Sequence, residues 1–286
     1  DKVVAAWNGM AIAALAEAGL LFGRPDFITA AERAAALLES VHLAGGSGKS
    51  SPRAGKLDGG RLIRTSRDGV AGASAGLLED YACVASGLLV LSGVTGTARW
   101  AAVAGALLET VLSEFGDGHG GFFDTASDGE RLLFRPADPT DNATPSGAFA
   151  AADALLSYAA LYGSSRHREA AVAALGPVPV VASRYPRAAG TGLAITEALL
   201  SGPVEVAVVG PADDPRTHDL LRTAMHQAPP GAVFAVGSGS PGGDGGIPLL
   251  AGRGLLREGP AAYVCRGFTC LAPVGTPADL RAALER

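Results

Sequence analysis

Lysine is nearly missing from this sequence, with three residues against twenty arginines in a chain of 286. The arginines are scattered among acidic residues, and the formal net charge is -5 with a pI near 5.6. No basic stripe is left to track a phosphate backbone, which argues against nucleic acid as the main partner. Cysteine is scarce as well. Three cysteines cannot build a disulfide framework, and Cys265 and Cys270, five apart, match neither a CxxC redox motif nor half of a zinc site. Both alternate with apolar residues near a strand end and read as packed side chains. The five histidines form no pair at metal-ligand spacing, with one another or with cysteine, so neither a metal nor another cofactor is expected.

Long apolar runs are absent too. The most apolar stretch, Cys83 to Val94, is interrupted by Ser86, Gly87 and Ser92 and is too short to span a bilayer; it reads as a buried helix, and no membrane partner is expected. Asp1 opens the chain, and no charged, apolar and cleavage-site succession follows it. The expectation is a cytoplasmic protein from which something upstream has been removed.

What the chain has is a large apolar fraction, 48%, enough for a sizeable core in one large or two smaller domains. Apolar residues recur at helical spacing over residues 5–22, 25–41, 73–93, 97–115, 145–162, 166–175 and 188–200. Pro177 and Pro179 read as helix breakers. Past residue 202 the grammar changes. PVEVAVVG at 203–210 is a buried strand, and with a helix at 215–227, strands at 232–236 and 261–265 and a last helix at 277–284 it forms a small α/β unit. The chain thus divides into a helical-hairpin domain, 1–202, and an α/β unit packed on it, 203–286. Two glycine-rich stretches carry no nucleotide fingerprint: AGGSGKSS at 44–51 has Leu43 where a P-loop needs glycine, and GSGSPGGDGG at 237–246 is followed by no helix.

Polar chemistry concentrates in residues 117–150, DGHGGFFDTASDGERLLFRPADPTDNATPSGAFA, a long loop between two helices. Upstream, Leu62 to Arg64 reads as a short strand whose Arg64 points back towards an acidic site. Helix starts at Trp7-Asn8-Gly9, Glu79-Asp80-Tyr81 and Pro145-Ser146-Gly147 recur about every 70 residues, each followed by an antiparallel partner. That is the pattern of stacked helical hairpins. If the inner helices are parallel, their starts gather at one end around a pocket containing Asp80, Asp124, Asp141 and Arg135.

DKVVAAWNG at the start, LLEDYA at 77–82, GGFFDT at 120–125, PSG at 145–147, GPVEVAVVG at 202–210 and AYVCRGFTC at 262–270 resemble, in order, the C-terminal portion of the thioredoxin-domain protein family related to spermatogenesis-associated protein twenty. The resemblance implies a thioredoxin-like domain upstream and a mainly α fold. That fold is an (α/α)6 toroid similar to N-acylglucosamine 2-epimerases and six-hairpin glycosidases. The chain would begin part-way through this ring, leaving it open or completed by another polypeptide. It departs from the family at Ala148, where the family continues PSG with Asn, and at Glu79, where the family has a second aspartate.

Two functions follow as expectations. In the first, the domain acts on a sugar: Asp80 and Asp141 are the acid/base pair, His119 a further base by analogy with histidine-using epimerases. Trp7, Tyr81 and Phe123 face the sugar ring, Arg135 holds a carboxylate or phosphate, and Asn8, Asp124 and Ser146 complete the binding site. In the second, the domain is a non-catalytic ligand-binding or scaffold module serving the upstream domain, and the same carboxylates are helix caps and ion-pair partners. An enzyme pocket would hold a carboxylate among apolar groups with room beside it; a scaffold would satisfy it with backbone amides.

Overall fold

The computed structural model describes residues 1–43, 61–239, 245–257 and 259–285. The rejected P-loop at 44–51 and the middle of the 237–246 stretch lie outside the described residues.

The chain is mainly helical, with small sheets. Three antiparallel hairpins follow one another: α1 (Ala5–Leu21) with α2 (Pro25–Leu37), α3 (Leu78–Thr95) with α4 (Ala98–Thr110), and α5 (Gly147–Tyr162) with α6 (Ser165–Ala174). Helices α1, α3 and α5 pack side by side as an inner row, and each partner helix lies against its own inner helix. Helix α3 is the centre of that row. Its apolar residues run round the whole cylinder, so Leu78, Tyr81, Val84, Leu88 and Leu91 are all buried, which is what an all-round apolar helix requires. It is long and apolar enough to cross a membrane, yet most of it is buried inside the fold.

Glycine sets how closely the inner row packs. A Cβ on Gly87 would overlap the carbonyl oxygen of Gly9, and one on Gly9 would overlap that of Cys83, so α1 and α3 meet backbone to backbone.

Two helices depart from the sequence expectation. Helix α3 begins at Leu78 rather than Ala73, because residues 74–76 are held extended: Arg64 and Gly76 donate backbone N–H bonds to Ser74 and Leu62 (2.9 and 2.6 Å). The short strand expected at Leu62 to Arg64 falls just beyond it, in a ribbon of β1 (Val3–Val4), β2 (Thr65–Arg67) and β3 (Val70–Ala71). Pro177 and Pro179 do not only break α6. They open an unexpected helix α7 (Val178–Arg184), where a missing amide costs nothing, and α8 (Gly190–Ser201) follows.

The C-terminal sheet has the order β5-β4-β6-β7, from β4 (Glu205–Val209), β5 (Val233–Gly237), β6 (Ala261–Arg266) and β7 (Thr269–Cys270). β4 and β5 are parallel, with Val206 opposite Phe234, and β4 and β6 antiparallel, with Val208 opposite Ala262. Helices α9 (Pro215–Gln227) and α10 (Pro277–Leu284) cover one face. β5 lies against α3, where a Cβ on Gly93 would come within 2.7 Å of the Phe234 carbonyl. β4 is buried at every position, as a strand sandwiched on both faces must be.

Cys265 and Cys270 are not merely packed: they are disulfide-bonded. A two-residue turn brings them directly opposite each other on β6 and β7, which their spacing along the chain conceals.

Candidate functional site

The starts of α3 and α5 abut, Gly147 lying against Leu78 and the backbone nitrogen of Glu79. The 117–146 loop is laced to them by backbone bonds. Leu78 N–H donates to the carbonyl of Asp124 (2.9 Å), and Asp124 N–H to that of Pro136 (2.8 Å). Between these elements lies a cleft of about 320 Å³ whose lining carries the carboxylates of Glu79, Asp124 and Asp138 with the polar groups of Thr125, Thr140, Asn142, Thr144 and Ser146. Asp124 is half-buried, with Asp138 N–H donating to its Oδ2 (3.2 Å). Burial raises its pKa above the usual carboxylate range; that amide opposes the rise, and the nearby charges of Asp138 and Glu79 add to it. Glu79 is ion-paired with Arg64 (2.8 Å). Arg64 does point back to an acidic site.

The other expected residues divide around this cleft. Ser146 lines it and caps α5, its Oγ accepting from Phe149 N–H (3.1 Å). Asp80 lies behind the cleft with no exposure. Its Oδ1 accepts from Ala6 N–H (3.0 Å), and its Oδ2 from Leu77 N–H (2.9 Å) and the Arg64 guanidinium (2.8 Å), so one side chain ties the start of α1 to the start of α3. Burial raises its pKa against the pull of those donors. Asp141 is also spoken for: Ser146 N–H (2.9 Å) and Thr191 N–H (2.7 Å) donate to its two oxygens, fastening the loop to α8. Tyr81 is buried, its hydroxyl accepting from Leu62 N–H (2.9 Å) and its ring tilted against Phe115. Arg135 stacks on Phe123, 4.1 Å from the ring centroid, and donates to the carbonyls of Glu114 and Thr125. It does not line the cleft. Asn8 donates to Val4 O (2.9 Å) in the first turn of α1. Trp7 is 60% exposed, and His119 is exposed on the loop; neither lines the cleft.

A second cavity, of about 200 Å³, was not foreseen. It lies between the inner row and β5, where Glu17, Asp153, Ser86 and Ser157 join an apolar lining that includes Leu89, Val90, Met225 and Phe234. Asp153 has one weak partner, Ser86 Oγ at 3.5 Å, and Glu17 sits at the exposed rim. Burial raises the pKa of both, and the charge of Asp153 raises that of Glu17 further. The signal for them was in the sequence as single acids inside alanine-rich helical runs, ALAEAG and AAADALL. Because the folded state binds the Asp153 proton more tightly than the unfolded chain does, its stabilising effect is complete below the unfolded value of about 3.9 and is lost as pH rises through the folded one. Asp153→Asn is therefore expected to match the wild type in urea unfolding at pH 4 and to exceed it increasingly towards pH 7.5. A difference independent of pH would contradict this reading.

No protein-family model matches the chain. Over its whole length the chain is 27% identical to spermatogenesis-associated protein 20 of Homo sapiens and of Rattus norvegicus, and 26% identical to that of Mus musculus. It spans about a third, 36%, of the length of these curated relatives, and it is to this part of them that the chain is similar.

Proposed function

We propose that the cleft between the starts of α3 and α5 binds a sugar-like ligand and supports acid/base chemistry on it. Asp124 is then the proton donor and the ion-paired Glu79 the carboxylate opposite. One observation carries the reading: a half-buried carboxyl with a raised pKa faces an open cleft rich in hydroxyl and amide groups, the lining that a polyhydroxylated ligand matches. The lining holds three carboxylates and no basic side chain, which favours neutral or amino sugars over sugar phosphates and uronic acids. In this reading Asp80 and Asp141 hold the walls in place, and the three hairpins are part of an (α/α)6 ring in a longer thioredoxin-domain protein. The scaffold reading draws its support from those same two carboxylates, which backbone amides satisfy.

A thermal-shift screen against neutral, amino and phosphorylated sugars separates the two. A ligand at 100 times its Kd stabilises the fold by about 2.7 kcal/mol. Neutral or amino sugars are expected to raise the melting temperature of the wild type and of Glu17→Gln, and Asp124→Asn is expected to abolish turnover by NMR while keeping the unliganded melting temperature. Absence of any sugar response from the folded chain would leave the scaffold reading.

A further inference from the structure

The disulfide at the sheet edge has a neighbour that a neutral disulfide does not call for. Cys265 is buried and Cys270 half-buried on β7, the edge strand of the sheet. Behind them stands Arg253, with Nη2 at 2.9 Å from Cys270 Sγ and 3.5 Å from Cys265 Sγ. Among the described residues no carboxylate comes within ion-pair distance of this guanidinium, and its buried Nε has no partner. Tyr263 offers only a distant ring face, 5.9 Å away. Burial accordingly lowers the Arg253 pKa, with Glu205 and Tyr263 opposing. A disulfide sulfur is a weak acceptor and returns little to a desolvated cation. A thiolate at the same place would offset that cost, where Nη1 otherwise reaches the Ala251 carbonyl at 3.4 Å.

We propose that Cys265–Cys270 is a thiol–disulfide exchange site whose co-substrate is a dithiol and whose leaving thiolates are stabilised by Arg253. A thiolate of the dithiol attacks Cys270 Sγ, the more exposed sulfur. The Cys265–Cys270 bond breaks, and its electron pair leaves on Cys265 Sγ beside Nη2. The second thiol of the reductant, deprotonated, attacks the reductant's own sulfur in the mixed disulfide and expels Cys270 as a thiolate on the same guanidinium. The dithiol is oxidised to its disulfide and the protein disulfide reduced to one sulfhydryl group and one thiolate. Of the two thiol protons, one ends on a protein cysteine and the other in solvent while the second cysteine stays ionised against Arg253. The hairpin keeps its shape without the bond, because buried Glu205 accepts from Phe268 N–H (2.8 Å) in the turn.

The test uses dithiothreitol as the dithiol on the folded chain. Cysteines are counted by alkylation and mass spectrometry, and the rate of iodoacetamide alkylation of the reduced protein is followed against pH. Cys83 is an internal silent control, since burial pushes its thiol up to about 12. The wild type is expected to be reduced without unfolding, and one thiol to titrate clearly below the ordinary cysteine value of about 8.5. In Arg253→Met, alkylation at pH 6.5 should slow by about tenfold and the equilibrium with dithiothreitol should move towards the disulfide; Arg253→Lys should restore part of both. A wild-type disulfide reduced only on unfolding, or a thiol midpoint at or above the ordinary value, overturns the proposal even if Arg253→Met fails to fold.

Discussion

Gly87→Ala is expected to destabilise the fold by about 2–4 kcal/mol, a fall of roughly 3–7 °C in melting temperature for a chain of this size. Local reasoning gives the opposite sign. Glycine inside a helix is about 1 kcal/mol worse than alanine, so the substitution at a mid-helix position of α3 would stabilise an isolated helix. Tertiary structure reverses it, because the added methyl falls on the carbonyl oxygen of Gly9, and that atom belongs to the backbone of α1 and has no rotamer through which to retreat. Only separation of the two helices relieves the overlap, and that separation opens the inner row along Ile12 and Val84, both wholly buried. Gly9→Ala meets the Cys83 carbonyl and should behave alike. Because either change moves the same pair of helices, the double variant should lose less than the sum. A melting temperature for Gly87→Ala equal to or above that of the wild type would refute this account of the row.

The helices were legible in the sequence because their apolar periodicity is strong, and the change at residue 202 was legible because β-branched runs replaced it. Errors arose where long-range bonds overrode local signals. Residues 74–76 look helical, yet backbone bonds with the extended segment at Leu62 to Arg64, just before β2, hold them and delay α3 to Leu78. Cys265 and Cys270 looked like packed residues because sequence spacing does not report register. The turn at Gly267 and Phe268, both at positive φ, places them opposite each other.

For the candidate site, the sequence located the region but assigned its roles less well. The helix starts do gather, and Asp124 and Ser146 do line the cleft between them. What could not be read was which carboxylates had already been claimed. Asp80 receives an amide 74 residues away and Asp141 one 50 residues away. Glu79, whose place in the first turn of α3 a helix dipole alone would explain, lines the cleft beside Asp124 and Asp138. The cavity at Asp153 needs four helices, α1, α3, α5 and α9, and β5 together to exist, so no single stretch announces it.

The largest effect is expected at Asp80, and its pattern separates a positioning residue from a catalytic one. Asp80→Ala removes the acceptor of one buried and one part-buried backbone amide and one of the two carboxylates on Arg64, which keeps Glu79. Orphaned buried amides cost about 1–3 kcal/mol each, and the part-exposed Arg64 stays paired with Glu79, so the variant should lose about 3–5 kcal/mol in urea unfolding. Asp80→Asn keeps the shape, but its carboxamide has a single acceptor oxygen and presents an NH₂ to the remaining N–H donor. A loss of about 2–3 kcal/mol is expected. If Asp80 acted on a ligand, the asparagine variant would keep the stability of the wild type and lose turnover. If it only joins the starts of α1 and α3, the variant loses stability, and the part that remains folded still responds to a cleft ligand with weaker affinity, because the wall carrying Glu79 is displaced but its carboxylate is intact. Unfolding and ligand response measured on the same preparation decide between these outcomes. A stable, ligand-binding and inactive Asp80→Asn would return this carboxylate to the chemistry.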